Sequence, residues 1–320
     1  MIEVLHSDDA HVIEFHRSQQ GRRGLLHTFT PFMFSDLRRE GFGVGFATRR
    51  GYDVVAFKCR DDSWFQRIEP DVLHAVARRS ADHSFVATYG SSMGGFAAIA
   101  FSGILRADLV IAISPQYAID LPFDRRWAAQ AAAIGPFRHT ITPETAHGGR
   151  LVLIYDDHDA ADLAQVEKIR QETNFATLTD LVVPFSGHPA GHFLAQTGQI
   201  SRVIGALLDG EDDVVVRHDW SKLRRSLAYT FAMARHANKN GRIGLAILCF
   251  SRAVDLAPAN AGLRYQLSVL LARTGRLREA IAQAERALSL APNLAGLPDH
   301  LSILLDRAAR AGESGIDRSA

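Results

Sequence analysis

The stretch that decides the fold reads Ser84-Phe85-Val86-Ala87-Thr88-Tyr89-Gly90-Ser91-Ser92-Met93-Gly94-Gly95-Phe96-Ala97-Ala98. Its first part is a short run rich in residues that favour β-strands. Its last part continues as a helical pattern of small residues that ends near Phe101. The sequence therefore predicts a strand, a sharp turn and a helix in immediate succession.

The turn contains the pattern G-x-S-x-G, formed by Gly90, Ser92 and Gly94. This is the pattern of a nucleophile elbow, in which a serine sits at the tip of a strained turn with its hydroxyl exposed. Glycines are needed on both sides because the strand and the helix approach too closely there for a Cβ. An ordinary glycine-rich turn is the alternative, but the predicted strand and helix supply the context that the motif requires. We therefore expect Ser92, rather than Ser91, to be a nucleophile.

The composition of the 320-residue chain is 47% apolar and 22% charged, which is typical of a soluble globular protein with room for two domains. The N-terminus has no basic stretch followed by an apolar run, and no segment approaches 18 consecutive apolar residues. Cys59 and Cys249 lie far apart in the sequence, which favours a reducing compartment without a disulfide framework. We expect a cytoplasmic protein with no membrane span.

The charge is distributed unevenly along the chain. Residues 217–320 carry 16 Lys and Arg against 8 Asp and Glu, whereas residues 1–216 carry 20 against 27. Attraction between the two parts, or simple solvation, is the favoured interpretation, and an acidic partner for the basic part is the alternative.

Apolar runs and helical patterns alternate over the first 210 residues, which predicts a mainly parallel sheet covered on both faces. A helix is predicted at Pro70–Arg79, and further helices at Leu163–Thr173 and His192–Leu208. The glycine-rich segment 41–51 lacks a following helix start, so a dinucleotide-binding loop is not expected. Residues 116–150 form the largest insertion, either a lid over an active site or ordinary packing. The eight predicted strands are Ile2–Leu5, His11–Phe15, Gly24–Phe29, Asp53–Phe57, the run before Gly90, Ala107–Ser114, Leu151–Tyr155 and Leu181–Phe185.

A repeat of 34 residues follows in the C-terminal part. Residues 241–258 align with residues 275–292, and nine of the eighteen positions are identical, including the closing proline. This period and its alanine positions resemble the tetratricopeptide repeat (TPR), in which helix pairs stack because none buries its apolar face alone. We expect domains at residues 1–212 and 217–312, with first helices of the repeats at Leu223–Asn238 and Ala259–Arg273. A capping helix is expected at Leu297–Arg310 and a flexible tail at 313–320.

The order of chemical groups in the first 210 residues resembles the α/β-hydrolase fold, in which a serine, an acid and a histidine follow successive strands. Ser92 follows the fifth strand, and His188 follows the eighth in Ser186-Gly187-His188. The resemblance implies that His188 is the general base, with His192 in reserve. A zinc pair of these two histidines is rejected, because Pro189 and Gly191 interrupt any helix between them.

The acid is sought among four carboxylates after the seventh strand. The resemblance implies an acid about four residues beyond the strand, which selects Asp159 and leaves Asp156, at the turn itself, second. The remaining carboxylates are Asp157 and Asp162. Such a cluster also suits turn formation and helix capping, for which Asp162 is the natural candidate.

Acyl transfer also needs donors for the developing oxyanion. The resemblance implies the Met93 N–H and a donor after the third strand, Thr30 or Phe32, since Pro31 has no N–H. The loop after the fourth strand and the insertion both supply candidate pocket residues. The loop contributes Trp64 and Phe65, and the insertion contributes Phe123, Trp127 and the pair Arg125-Arg126, whose guanidinium groups suit a carboxylate or phosphate. Packing of the insertion is at least as well supported an alternative.

Two functions from different classes are consistent with these residues. The first is a serine hydrolase that cleaves an ester or related acyl substrate through an acyl-enzyme, with acyl transfer to another acceptor as a variant on the same triad. The second is a non-catalytic scaffold that binds a protein or peptide, or a second copy of the chain, through the TPR repeats. No cofactor, metal or nucleic acid is expected for either.

Overall fold

The computed structural model describes residues 2–217 and 219–316. The chain divides into two compact units, Met1–Arg217 and His218–Ala320. Each unit has its own apolar core.

The N-terminal unit is built on one eight-stranded sheet. Its strands are β1 Ile2–Ser7, β2 His11–His16, β3 Gly24–Phe29, β4 Tyr52–Cys59, β5 Val86–Ser91, β6 Leu109–Ile113, β7 His147–Tyr155 and β8 Asn174–Val182. Its helices are α1 Val44–Arg49, α2 Pro70–Ala77, α3 Met93–Ala100, α4 Ala128–Ile134, α5 Ala160–Gln171, α6 Ala190–Gln196 and α7 Ile200–Leu208.

The strands are ordered β1-β2-β4-β3-β5-β6-β7-β8 across the sheet. The first two pairings, β1 with β2 and β2 with β4, are antiparallel, and all the others are parallel. The predicted α/β-hydrolase fold is confirmed. Because β5 lies near the middle of the sheet, its carboxyl end is flanked by loops from several strands, which is where open α/β sheets place their sites.

Strands in the middle of the sheet are buried along their whole length, whereas the edge strand β8 is largely exposed. Burial on both faces explains why the central strands read as continuous apolar runs. In β8 the structured segment begins at Asn174, seven residues before the predicted start. The first part of β8 is mostly exposed and has no apolar run that would predict a strand.

Two helical segments differ from the predictions. Helix α1 lies inside the glycine-rich segment 41–51, for which no helix was predicted, and it starts after Gly43, which is in the left-handed conformation. The single helix predicted at His192–Leu208 is two helices, α6 and α7. Gly198 lies between them with a φ of 70°, a conformation that interrupts a right-handed helix.

The insertion at residues 116–150 packs in part on the body of the unit. It contains a short 3₁₀ helix at Arg125–Trp127 and the helix α4. Ile119 and Ile141 are buried in the core, and Trp127 packs against it. The described structure therefore shows a partly anchored segment beside the carboxyl edge of the sheet.

The C-terminal unit is entirely helical in its described residues. Its helices are α8 Trp220–Leu223, α9 Leu227–Lys239, α10 Ile243–Leu256, α11 Ala261–Arg273, α12 Leu277–Leu290 and α13 Leu297–Ile316. Consecutive helices from α9 to α13 pack against one another. The predicted TPR-like architecture is confirmed. Helix α13 extends into the segment predicted as a tail, and residues 317–320 lie outside the described residues.

The 34-residue period has a direct packing basis. Ala246 and Ala280 are equivalent in the two repeats and are both fully buried. A small side chain is needed at this position because neighbouring helices approach closely there. Gly241 and Gly275 turn the chain between helices with φ of 71° and 79°. Among the described residues, no helix has both the length and the apolar character needed to cross a lipid bilayer.

Candidate active site

The turn between β5 and α3 has the geometry of a strained elbow. Ser92 has φ 53° and ψ −118°, a conformation that is rare for a residue with a side chain. A Cβ on Gly90 would overlap the carbonyl group of Gly94, and a Cβ on Gly94 would overlap the carbonyl oxygen of Phe29. These clashes are with backbone atoms, so only glycine fits at both positions.

The elbow holds Ser92 at the carboxyl end of the central strand. The Ser92 N–H donates to the carbonyl oxygen of Ile113 at 2.8 Å, which ties the turn to the end of β6. The Ser92 side chain faces His188, with 2.9 Å between Oγ and Nε2. A hydroxyl and an imidazole at this distance are within hydrogen-bonding reach, which is the geometry that activation of a serine by a histidine requires.

His188 lies in the loop between β8 and α6, and Asp156 organises that loop. The Asp156 carboxylate accepts backbone N–H groups from Phe185 at 2.9 Å and Gly187 at 2.8 Å, and a third from His158 at 2.9 Å. Burial raises the pKa of Asp156, and the three backbone donors oppose that rise. Asp156, the second-choice acid, thus bonds the backbone of the loop that carries His188 rather than the imidazole itself. His192, the reserve histidine, is on α6, and the hydrogen bond from Ser92 goes to His188 instead.

The carboxylate on the other side of the imidazole belongs to Asp162. Its oxygens lie 2.9 and 3.0 Å from His188 Nδ1, and the residue is 1% exposed. The predicted acid, Asp159, is instead the N-cap of α5 and accepts the N–H groups of Ala161 and Asp162. The structure therefore reverses the predicted roles, because the carboxylate of Asp159 is used by the helix end and Asp162 in the first turn reaches the histidine.

Arg126, from the insertion, contacts the same carboxylate. Its Nη1 donates to Asp162 at 2.8 Å, while Nε and Nη2 bind Asp124 at 2.7 Å each. Burial acts to raise the pKa of Asp162, but His188 and Arg126 outweigh it and hold that pKa below its usual value. Both ends of the guanidinium group are occupied by these two carboxylates. For Arg126, these contacts favour the packing alternative over the binding of a substrate anion.

The predicted oxyanion donors differ in their surroundings. The Thr30 N–H donates to the carbonyl oxygen of Phe57 at 3.1 Å, and its side-chain oxygen accepts the Cys59 N–H at 3.0 Å. Both polar groups of Thr30 therefore join β3 to β4, and its N–H is not available for a substrate. Met93 begins α3, where the first N–H groups have no partner within the helix. Met93 and Phe32 stay predictions.

Aromatic side chains pack around the histidine. The rings of Phe32, Trp64 and Trp127 lie 5.2–5.7 Å apart, and the Trp127 ring is 5.7 Å from that of His188. Trp64 is only 1% exposed, whereas Phe32 and Trp127 are half-buried. Of the other predicted pocket residues, Phe65 is in the core and Phe123 is largely exposed.

Gln116 is a site residue that the sequence did not single out. Its Nε2 lies 3.1 Å from Ser92 Oγ, and its Oε1 lies 3.3 Å from Trp64 Nε1. The residue follows β6 within Ser114-Pro115-Gln116, at the same edge of the sheet as Ser92. That placement is the one signal that points to it, since a lone glutamine in a loop carries no recognisable motif.

The buried thiol of Cys59 does not offer a competing nucleophile. Burial raises its pKa to about 12, and the Sγ–H group contacts Asp61 at 3.1 Å. A cysteine reacts as the thiolate, which this environment disfavours.

Several solved structures are similar to parts of this chain at low sequence identity. The capsule O-acetyltransferase of Neisseria meningitidis serogroup A is 14% identical over 61% of this chain and 92% of its own, with a TM-score of 0.43. Dienelactone hydrolase from Anabaena variabilis is 12% identical over 65% of this chain and 94% of its own, with a TM-score of 0.41. MamA is 18% identical over 30% of this chain and 68% of its own, with a TM-score of 0.23.

No protein-family model matches the sequence, and no curated protein matches it. The strand order and the elbow geometry are what define the fold of the N-terminal unit.

Proposed function

We propose that the protein is a serine hydrolase that forms an acyl-enzyme on Ser92. The observation that carries this proposal is the continuous series of contacts from Ser92 through His188 to Asp162, with 2.9 Å at each of the two steps. The three groups come from separate segments, namely the elbow, the loop after β8 and the first turn of α5, so their alignment is a property of the fold. Asp162 takes the role that the sequence suggested for Asp159.

In the acylation step, Ser92 Oγ attacks the carbonyl carbon of an ester or related acyl substrate, and its proton passes to His188 Nε2. The carbonyl electron pair moves to oxygen, where the Met93 N–H is the proposed donor. The tetrahedral intermediate then expels the alcohol, which takes the proton from His188. Asp162 stays ionised throughout, fixes the imidazole orientation and stabilises its charged form.

Deacylation reverses the roles of the same groups. A hydroxyl oxygen attacks the acyl carbon, its proton passes to His188, and Ser92 leaves and recovers that proton. If the attacking group is water, the product is a carboxylic acid, and if it is an alcohol, the product is a new ester. Hydrolysis is the proposal, and acyl transfer is its variant on the same residues.

The test is covalent labelling of folded protein by a fluorophosphonate, with wild type compared with Ser92→Ala. We expect labelling of wild type and its loss in Ser92→Ala, while Ser91→Ala serves as a matched control that keeps the label. Wild-type protein that is folded but unlabelled would overturn the proposal. Release of acid or ester from p-nitrophenyl acetate, with and without added glycerol, separates hydrolysis from transfer.

A second function, protein binding through the repeats, is favoured by one observation. Leu248 is 66% exposed on α10, and Leu245, three residues away on the same helix, is 37% exposed. Exposed leucines on a basic helical unit suit an interaction surface. A pull-down with the folded chain tests this function, and the absence of both a retained partner and self-association would overturn it.

A further inference from the structure

We propose that Gln116 is a catalytic residue whose side-chain amide fixes the direction of the Ser92 hydroxyl proton, and that Trp64 is the positioning residue that orients this amide. The inference rests on the proposed function and extends it to two residues outside the triad. It follows from which of these groups are able to donate a hydrogen bond.

The direction starts at Trp64. An indole Nε1–H donates and cannot accept, so the Gln116 atom at 3.3 Å from it must be the amide oxygen. The other end of the same amide is then an NH₂ group, which lies 3.1 Å from Ser92 Oγ. Gln116 and Trp64 are each 1% exposed, so solvent offers neither of them an easy substitute partner.

The NH₂ group passes the direction to the nucleophile. It can only donate, so Ser92 Oγ must accept from Gln116, and the serine proton is left to point elsewhere. The imidazole nitrogen at 2.9 Å is the acceptor that remains within reach. His188 Nε2 also lies 3.5 Å from the Gln116 amide, which places all three atoms in one cluster.

The consequence is a resting site in which the proton already faces its acceptor. With Asp162 accepting from His188 Nδ1, every hydrogen bond from Trp64 to Asp162 runs in one direction. When the serine proton moves to His188, the Gln116 N–H remains a donor to the oxygen that becomes more negative. This preorganisation costs no rearrangement at the moment of attack.

The test uses variants that keep the shape of the side chain and change its hydrogen bonding. Gln116→Met removes the donor, and Gln116→Glu replaces it with an acceptor that competes for the serine proton. We expect the fluorophosphonate labelling rate to fall about 10-fold to 100-fold for Gln116→Met and further for Gln116→Glu. Gln116→Asn is the control for a shorter amide. Gln199→Met is the control for loss of a buried glutamine, since the side chain of Gln199 bonds Thr197 and Arg217 and none of the residues under test.

Trp64→Phe keeps a ring and removes only the indole donor. We expect a several-fold loss of rate in the wild-type background and no further loss in the Gln116→Met background, because Trp64 acts through the amide. An equal loss in both backgrounds would assign Trp64 to packing alone and overturn its positioning role. Circular dichroism and thermal unfolding identify variants that have simply lost the fold.

A spectroscopic measurement separates proton direction from packing. In ¹⁵N-labelled protein, with His188 assigned by its loss in His188→Gln, we expect a hydrogen-bonded Nε2 in wild type. The Nε2 shift should move towards that of a free ring nitrogen in Gln116→Glu. The role of Gln116 would be overturned if the His188 Nε2 shift is unchanged in Gln116→Glu and the labelling rate is unchanged in Gln116→Met. Wild type that labels normally would still support the function proposed for Ser92.

Discussion

The elbow and the acid loop are two short segments of the same site that specify their residues by different physics. In the elbow, Gly90 to Gly95, the glycines at 90 and 94 are required by backbone atoms, those of Gly94 and of Phe29 respectively. In the acid loop, Asp156 to Asp162, four identical side chains differ only in what the fold brings to them. Asp156 organises the loop that carries His188, Asp159 caps a helix and Asp162 contacts the His188 ring. Chemistry readable from a local motif is thus distinct from chemistry assigned by tertiary contacts.

The largest expected effect comes from breaking the elbow by Gly90→Ala. The added Cβ would meet the backbone of Gly94, which cannot move without displacing α3, so we expect a loss of about 3 kcal/mol or more in the free energy of unfolding, or no folded protein. Urea unfolding measures it. Gly191→Ala is the matched control, since its Cβ would meet only ordinary contacts at 3.4 Å or more. Similar stability for the two variants would contradict this account.

The second effect distinguishes two carboxylates three residues apart. Asp162→Asn should lower the labelling rate of Ser92 by about 10⁴-fold, because an amide favours the wrong orientation and proton placement of His188. Asp159→Asn should change the rate by less than about threefold, because asparagine caps a helix as well as aspartate does. A larger loss in Asp159→Asn than in Asp162→Asn would restore the assignment made from sequence.

The third effect concerns pH, for which Asp156 and Asp162 are predicted to behave oppositely. The pKa of Asp162 is lowered in the folded protein, so its stabilising contribution is present above about pH 4, the unfolded value, and is lost as pH falls through the folded pKa. The pKa of Asp156 is raised, so its contribution is present below about pH 4 and is lost as pH rises through the folded pKa.

Carbon-13 titration of the aspartate carboxyl groups measures both directions. Signals are assigned with Asp156→Asn and Asp162→Asn, and urea unfolding over the same pH range reports the linked change in stability. We expect the advantage of wild type over Asp162→Asn to shrink on acidification. Shifts of both carboxyl groups in one direction would contradict the difference in their surroundings.

The smallest effect extends the comparison to the repeats. Gly244 lies inside α10 with open space where a Cβ would be, and its equivalent one repeat later is Arg278. Gly244→Ala should therefore stabilise the chain by about 0.5–1 kcal/mol. Gly241→Ala, three residues earlier at a φ of 71°, should destabilise it by roughly 1 kcal/mol. Thermal unfolding distinguishes the two, and equal changes would contradict the conformational argument.

Local pattern was sufficient for several parts of this protein. The elbow, the alternation of strands and helices and the 34-residue repeat each leave a recognisable pattern in the sequence, so residues 84–98 and 241–292 predicted their structures. His188 was also singled out from the sequence, because it lies in the loop after the eighth strand, at the same edge of the sheet as Ser92. Strand β8 and helix α1 were harder, since an exposed strand and a short glycine-flanked helix have little apolar periodicity.

The sequence by itself determined the two-part architecture and singled out Ser92 and His188, which the fold brings within 2.9 Å of each other, because a short motif, the order of the strands and a fixed period encode them. Only the tertiary structure brought Asp162 rather than Asp159 to His188 and brought Gln116 to Ser92. It also engaged the Thr30 N–H with Phe57, so that this group cannot bind a substrate oxygen. The physical reason is that a carboxylate, an amide or an N–H has the same chemistry wherever it stands in the sequence. Its role depends on which group from another strand or loop it contacts in the folded protein.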